Sequence, residues 1–277
     1  MTNYQNLHTH TTYTDGALSP EDMILAAIEK GCNSLGFSEH SYITFNDYYS
    51  LSPEMSVKYI DELNYLREKY KYYIEIFKGL ELDYHTEIWP EDGLDYAIGA
   101  AHHIQVSDES GNPMFVPVDA GEEYVVQIVK EYFNGDYYAF AETYFGTITD
   151  IAQKTNADII GHFDIITKYN FNGDKYDESH PRFIKAALNA MDAILEYNKL
   201  FEVNTGAMYR FGKTEPYPSV FLLKELYKRG GEVIMGSDSH NGDSICFAFD
   251  KVSEMLKSIG FTHIKRLAKN GFIDIKL

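Results

Sequence analysis

The chain repeats one pattern along most of its length: a short apolar run ends in polar, chemically reactive residues, and a segment of helical periodicity follows. Strands that alternate with helices favour a parallel sheet, so this repeat places the chain in the α/β class. Seven apolar runs are predicted as strands, over residues 4–8, 34–38, 74–82, 95–102, 158–162, 200–204 and 232–237.

The helical segments lie between these runs. The first has the clearest ends, because Ser19 can cap it, Pro20 suits its first position and Gly31 can end it. Six more helices are predicted over residues 53–70, 122–133, 138–154, 181–197, 219–229 and 251–258.

The length of 277 residues is that of a single α/β barrel, and no linker rich in Pro, Gly or Ser divides the chain. We therefore expect one domain over residues 1–277, built as a closed barrel. No G-x-G-x-x-G motif follows a strand, which argues against a dinucleotide-binding fold.

Charge and cysteine usage limit the partners and the compartment. The net charge is -18, with 42 acidic and 24 basic residues, which works against binding to nucleic acid or to an anionic membrane surface. Cys32 and Cys246 form neither a disulfide framework nor a C-x-x-C motif. With no signal-like start and no long apolar span, we expect a cytoplasmic protein.

Polar side chains cluster at the carboxyl ends of the predicted strands, where a βα barrel carries its active site. His8 and His10 share one face of a strand, since alternate residues point the same way. Imidazole and carboxylate groups suit zinc, manganese or iron, and so many on one face imply more than one metal. The candidate ligands are His8, His10, Asp15, His40, Glu81, His102, His162, Asp238 and His240.

Each candidate has a simpler explanation when it is taken alone. Asp15 precedes Gly16 and suits a turn, Glu81 could be a solvated carboxylate, and Asp238 could cap the next segment. Their joint placement at successive strand ends is what favours a metal centre.

The motifs together resemble the polymerase-and-histidinol-phosphatase (PHP) superfamily, and the match runs from residue 8 to residue 240. Length, motif order and the segment from Asn204 to Arg210 are similar to the histidinol-phosphate phosphatase type within it. The motifs are His8-Thr9-His10, Thr14-Asp15-Gly16, Glu39-His40, Gly79-x-Glu81, Gly99 to His102, Gly161-His162-x-Asp164 and Asp238-x-His240.

The resemblance implies a distorted seven-stranded TIM-like barrel that holds three divalent metal ions, with zinc, manganese and iron left open. It implies three ligand sets, of which the first two share Glu81: His8, His10, Glu81 and Asp238; Glu81, His102 and His162; Asp15, His40 and His240. The chain departs from relatives at Ala100, Ala101 and His103. Because adjacent strand residues point to opposite faces, only one of His102 and His103 can be a ligand, and the motif selects His102.

The resemblance implies a histidinol-phosphatase, a phosphoric monoester hydrolase of histidine biosynthesis that converts L-histidinol phosphate to L-histidinol and phosphate. Clustered metals would supply a bridging hydroxide that attacks phosphorus in line with the leaving alcohol. Asp15, His240 or water could protonate that alcohol. Arg210 can bind phosphate through its planar fork, and Lys168 and Arg182 are further candidates.

Other functions remain open at this point. The same metal set would serve a phosphodiesterase, an exonuclease or another small-phosphoester phosphatase. A protein of a different class, a noncatalytic metal-binding module, is a further alternative. Most aromatic rings are expected in the core, although the clusters over residues 42–49 and 140–145 could line a pocket mouth.

Overall fold

The computed structural model describes residues 4–45, 48–87, 89 and 93–277. Its strands are β1 (Gln5–Asn6), β2 (Ser34–His40), β3 (Glu75–Asp83), β4 (Tyr96–Ala100), β5 (His103–Ser107), β6 (Pro113–Pro117), β7 (Ile159–Ile160), β8 (Leu200–Asn204), β9 (Val233–Gly236), β10 (His263–Ala268) and β11 (Gly271–Lys276). Seven of them form one parallel sheet in the order β1-β2-β3-β4-β7-β8-β9, while β5-β6 and β10-β11 are antiparallel pairs.

The parallel sheet curves until its first and last strands meet. Just beyond β1 and β9, Thr9 and Ser239 form a parallel bridge. The His10 amide donates to the Ser239 carbonyl at 2.8 Å, and the Ser239 amide donates to the His8 carbonyl at 3.0 Å. The expected seven-stranded TIM-like barrel is therefore confirmed, and each of its strands overlaps a predicted run.

The helices are α1 (Pro20–Glu29), α2 (Pro53–Tyr70), α3 (Glu122–Tyr132), α4 (Tyr137–Ile148), α5 (Ile151–Thr155), α6 (Pro181–Leu195), α7 (Gly206–Phe211), α8 (Val220–Lys228) and α9 (Phe249–Ile259). Helix α1 begins as predicted, with the Ser19 hydroxyl accepting from the Asp22 amide. The helix predicted over residues 138–154 is in fact two helices, and α7 was not predicted.

Apolar side chains fill the lower half of the barrel and close its amino-terminal end. Tyr96 crosses the interior, where its hydroxyl donates to the Leu7 and Phe37 carbonyls. Gly79 makes room for this ring, since a Cβ there would lie 2.4 Å from a Tyr96 carbon. Leu267 from the β10-β11 hairpin packs against the same interior cluster. The open end of the barrel is thus the carboxyl end, where the polar side chains lie.

The aromatic cluster over residues 140–145 does not line a pocket mouth, because Phe140, Tyr144 and Phe145 are each only 1% exposed and pack inside the core. In the cluster over residues 42–49, Tyr49 reaches a pocket, while Asn46 and Asp47 lie outside the described residues. Within the part of the chain that is described, no helix has both the length and the apolar character that a membrane span requires. A single domain over residues 1–277 stays a prediction.

Candidate metal centre

The structure brings all nine predicted ligands together at the carboxyl end of the barrel. The backbone just beyond β1 places His8 and His10, the end of β2 places His40, and the loop after β9 places Asp238 and His240. Within each of four groups, the possible ligand atoms lie within 4.8 Å of one another. These groups are His10, Asp15, His40 and His240; His8, Glu81 and His162; His8, His10 and Asp238; and His40, Glu81 and His102.

Glu81 lies at the centre of this cluster and is 1% exposed. Its Oε1 lies 2.8 Å from His162 Nε2, 3.4 Å from His8 Nε2 and 3.5 Å from His102 Nε2. Its Oε2 lies 2.8 Å from His40 Nδ1 and 3.6 Å from His10 Nε2. Burial alone would raise the pKa of Glu81, but the charges of the surrounding histidines hold it well below its usual value. The carboxylate therefore reaches five imidazoles in its ionised form.

Several buried nitrogens in the cluster fit metal ions. Both ring nitrogens of His10 and the Nε2 of His8 have no hydrogen-bond partner among the described residues. Leaving a buried polar atom unsatisfied costs about 1–3 kcal/mol, so three at one place call for an occupant. Burial and the nearby His40 and His240 lower the pKa of His10 to about 3. The neutral imidazole that results is the form that binds a metal.

The observed groups overlap more than the three ligand sets implied by the resemblance. His10 joins the group of Asp15, His40 and His240, and its ring contacts the rings of both His40 and His240, at centroid distances of 4.3 and 4.4 Å. His40 also approaches Glu81 and His102. How the side chains divide among three metals therefore stays a prediction.

A second layer of carboxylates, which we did not predict, orients the histidines. Glu202 on β8 accepts hydrogen bonds from His8 Nδ1 at 2.7 Å and from the His162 amide at 3.0 Å. Asp83 at the end of β3 accepts from the His102 amide at 3.1 Å and lies 3.3 Å from its Nδ1. A carboxylate on the second ring nitrogen fixes which nitrogen faces the metal. The signal for Glu202 was an acidic residue between the apolar residues Phe201 and Val203 of a predicted strand.

Asp164, from the predicted Gly161-His162-x-Asp164 motif, links this end of the barrel to α8. Its Oδ2 accepts from the Ser219 amide at 3.0 Å, while its Oδ1 is buried with no partner among the described residues. Burial raises the pKa of Asp164 to about 7. The folded protein therefore keeps a proton on this carboxyl group at a pH where the unfolded chain has released it.

This shift predicts a pH-dependent effect of Asp164→Asn on stability. Between an ordinary pKa near 4 and about 7, the folded state binds more protons than the unfolded state, so the free energy of unfolding falls as pH rises and levels off above about 7. Asparagine does not titrate. The free energy of unfolding of the variant should therefore rise relative to that of the wild type between about pH 5 and about pH 8, by an amount on the order of 2–4 kcal/mol. Urea unfolding of both proteins across this range tests it, and a pH-independent difference would contradict it.

A pocket of about 360 Å³ opens above the cluster, and it is lined by Tyr49, Asp119, Lys168, Arg210 and the candidate ligands other than His8 and His10. The Arg210 guanidinium donates from Nη2 to Asp238 Oδ2 at 2.6 Å and from Nη1 to the Asp238 carbonyl at 3.2 Å. Lys168 Nζ donates to Asp119 Oδ2 at 2.9 Å. The structure thus places Arg210 and Lys168, two of the three predicted phosphate-binding residues, at the pocket.

Asp119 is a functional candidate that we did not predict, because it lies in a loop outside every motif. It belongs to none of the four ligand groups among the described residues. Burial alone would raise its pKa, but Lys168 and His102 lower the pKa of Asp119 to about 2. The pocket wall therefore carries an ionised carboxylate in addition to the candidate ligands.

The remaining basic candidates lie elsewhere. Arg182 is 40% exposed at the start of α6, pairs with Asp136 and Glu142, and does not line the described pocket. His103 is buried with its Nδ1 4.0 Å from Asp83 and joins none of the ligand groups among the described residues. The other three histidines also lie outside those groups. They are His85, packed on Phe115, His180, which caps α6, and exposed His263.

Comparison with known proteins agrees with the motifs. A protein of Schizosaccharomyces pombe named "probable histidinol-phosphatase" is 26% identical over 270 residues, covering 90% of this chain and 84% of that protein. A Deinococcus radiodurans protein of the same name is 25% identical over 270 residues, with coverage of 94% and 95%. The solved structure of Lactococcus lactis histidinol phosphate phosphatase, complexed with zinc, L-histidinol and phosphate, matches with a TM-score of 0.68 at 21% identity and covers 97% of this chain and 98% of that chain.

The family model of the PHP domain matches residues 6–206, which is most of the chain. That range contains seven of the nine predicted ligands, and the barrel places the other two, Asp238 and His240, beside them. The chain therefore belongs to the PHP domain family.

Proposed function

We propose that the protein is a metal-dependent phosphomonoesterase that hydrolyses L-histidinol phosphate to L-histidinol and phosphate, a step of histidine biosynthesis. The observation that carries this proposal is the convergence of nine imidazole and carboxylate side chains beneath a pocket with Arg210 and Lys168 on its wall. Relatives named for this activity match nearly the whole chain, which supports the choice of substrate. We place the activity in the cytoplasm, the compartment expected for two free thiols.

We propose that the cluster holds three divalent ions of the zinc, manganese or iron class. We propose three ligand sets, with Glu81 shared between the first two: His8, His10, Glu81 and Asp238; Glu81, His102 and His162; Asp15, His40 and His240. Bound there, such ions lower the pKa of water to yield a nucleophile at neutral pH and neutralise phosphate oxygens. No serine or cysteine nucleophile is then needed.

The protein's own cations would bind and orient the phosphate. Arg210 has a planar fork of donors, and its contact with Asp238 fixes the guanidinium over the cluster. Lys168 Nζ donates two of its three possible hydrogen bonds to Asp119, one to the side chain and one to the backbone carbonyl. The third N–H remains for phosphate. The two cations offset the repulsion between a phosphate dianion and the acidic groups of the pocket.

The leaving alcohol also needs a proton, and we propose that Asp15, His240 or a water at the pocket rim supplies it. His240 Nε2 lies 3.1 Å from Asp15 Oδ2, and both side chains are partly exposed at the pocket rim.

Replacing Arg210 by alanine should lower kcat/KM for L-histidinol phosphate by about 10²- to 10³-fold, because an oriented donor to the reacting group is lost. The metal content of this variant should change little. The kcat/KM of Arg210→Lys should lie between those of the wild type and of Arg210→Ala. Arg182→Ala is the matched control, since Arg182 pairs with carboxylates outside the pocket. Equal losses in the Arg210 and Arg182 variants would remove the phosphate-binding role of Arg210.

Asp119 supports a substrate that carries a positive charge. An ionised carboxylate on the pocket wall repels phosphate but can pair with the ammonium group of histidinol. Asp119→Asn should therefore lower the preference for L-histidinol phosphate over its analogue without the amine by about 10- to 100-fold, since a hydrogen bond to a charged group contributes about 1.5–3 kcal/mol. Steady-state kinetics with both substrates measures this ratio, and an unchanged ratio would leave Asp119 only as the partner of Lys168.

A substrate panel tests the proposal against its rivals. The metal-loaded protein should show its highest kcat/KM with L-histidinol phosphate, lower values with other monoesters and little activity with a phosphodiester. The net charge of -18 also predicts weak binding to single-stranded nucleic acid. A preferred diester substrate would favour a phosphodiesterase, and fully bound metal without hydrolysis of any ester would favour a metal-binding module.

A further inference from the structure

The fold brings together the two cysteines, which are 214 positions apart in the sequence and belong to no motif. Cys32 lies between α1 and β2 and is 5% exposed, whereas Cys246 is partly exposed in the segment before α9. Both thiols are free, and their Sγ atoms lie 3.3 Å apart. This distance is close contact for two sulfur atoms, and a disulfide bond would shorten it to about 2.05 Å.

Contacts on both sides hold the two thiols in place. Lys30 Nζ donates to the Asp243 carbonyl at 2.9 Å, which fastens the end of α1 to the turn Gly242–Ser244. Gly242 allows this packing, since a Cβ there would lie 2.8 Å from the Ala26 Cβ. The Cys246 amide donates to the Ser237 hydroxyl at 3.1 Å. The fold therefore already holds the two sulfur atoms side by side. Forming a disulfide between them costs the folded protein little further conformational entropy.

We propose that Cys32 and Cys246 are an oxidation site, at which a two-electron oxidant of the peroxide class forms a reversible intramolecular disulfide. This site lies outside the metal cluster and does not depend on the proposed function. It would tie α1 to the segment that follows Asp238 and His240.

The chemistry balances with hydrogen peroxide as the oxidant. The Cys32 thiolate attacks one peroxide oxygen, the O–O bond breaks, and hydroxide leaves, which gives a sulfenic acid at Cys32. Cys246 sulfur then attacks Cys32 sulfur, the S–S bond forms, and the sulfenic oxygen leaves as water once it takes up a proton. In total, two thiols and one peroxide give one disulfide and two waters. The hydrogen bond between the thiols lowers the pKa of Cys32, which favours it as the first nucleophile.

The test treats the folded, metal-loaded protein with a small excess of hydrogen peroxide and maps its thiols by mass spectrometry. The expected product has lost two hydrogens, about 2 Da. After tryptic digestion, peptides 31–58 and 230–251 should remain linked by the disulfide and should separate when dithiothreitol is added. The melting temperature should rise by about 4–8 °C, because the crosslink restricts the unfolded chain.

Cys32→Ser and Cys246→Ser are the matched variants, and far-UV circular dichroism checks that each is folded. Neither should form the joined peptides or gain stability with peroxide, and Cys246→Ser should retain a sulfenic acid at Cys32 that dimedone traps. Two free thiols after oxidation, oxygen adducts without a crosslink, or a disulfide between two chains would each overturn the proposal. None of these results bears on phosphatase activity, so this proposal and the proposed function can fail separately.

Discussion

Glu81→Gln should lower the turnover of L-histidinol phosphate by about 10³-fold or more. Glu81 is the carboxylate that reaches imidazoles from five other positions of the barrel, and its two oxygens face different ligand groups. An amide of the same size keeps the packing but removes the negative charge and one acceptor oxygen. Since metal ions contribute several kcal/mol to such reactions, and each 1.4 kcal/mol is about tenfold in rate, loss of their shared ligand gives this magnitude.

The matched control for Glu81→Gln is Glu75→Gln, the same substitution at the exposed start of the same strand. It should leave both turnover and metal content unchanged. Metal analysis of the desalted proteins shows whether Glu81→Gln loses ions as well as activity. Full metal content together with wild-type turnover in this variant would contradict the shared-ligand role.

Removal of the metals should have an effect of similar size. A chelator-treated protein should lose phosphate release by about 10³-fold or more, because no side chain of the pocket replaces the activated water. It should also unfold at a lower temperature, since ions that bind only the folded state stabilise it, and buried nitrogens of His8 and His10 are left without partners.

Stepwise return of zinc, manganese or iron(II) to the chelated protein tests the number of sites. Turnover measured against bound ions per chain should continue to rise until about three are bound, as the three ligand sets predict. Full activity at one bound ion would contradict the trinuclear arrangement, and activity in the metal-free protein would contradict the mechanism as a whole.

The barrel strands were predictable because each joins an apolar run to a reactive polar end, and this signal is local. The hairpin β10-β11 was overlooked, although the turn residues Asn270 and Gly271 lie between two short apolar runs, which is a hairpin signal. The turn of the hairpin β5-β6 is also visible in the sequence as a group of turn-forming residues. There Asp108 accepts hydrogen bonds from the Ser110 and Asn112 amides. A search for βα units alone does not detect antiparallel pairs.

The candidate ligands were predictable because imidazoles and carboxylates recur at successive strand ends, and those ends converge on one face of a barrel. Glu202, Asp83 and Asp119 were not, because a buried carboxylate gains its role from partners distant in the sequence, such as His8 for Glu202. Arg182 shows the converse error: its place after a motif suggested a phosphate contact, but α6 turns it towards Asp136 and Glu142. The contact between Cys32 and Cys246 likewise arises only when the barrel closes.

The central claim is that this PHP barrel uses its metal cluster to hydrolyse L-histidinol phosphate. The most direct measurement is phosphate release from L-histidinol phosphate by protein loaded with a defined metal, with metal content determined on the same sample. We predict a kcat/KM above about 10⁴ M⁻¹ s⁻¹, the range of ordinary enzymes acting on their own substrates. A fully metal-loaded protein that releases no phosphate from this substrate would contradict it.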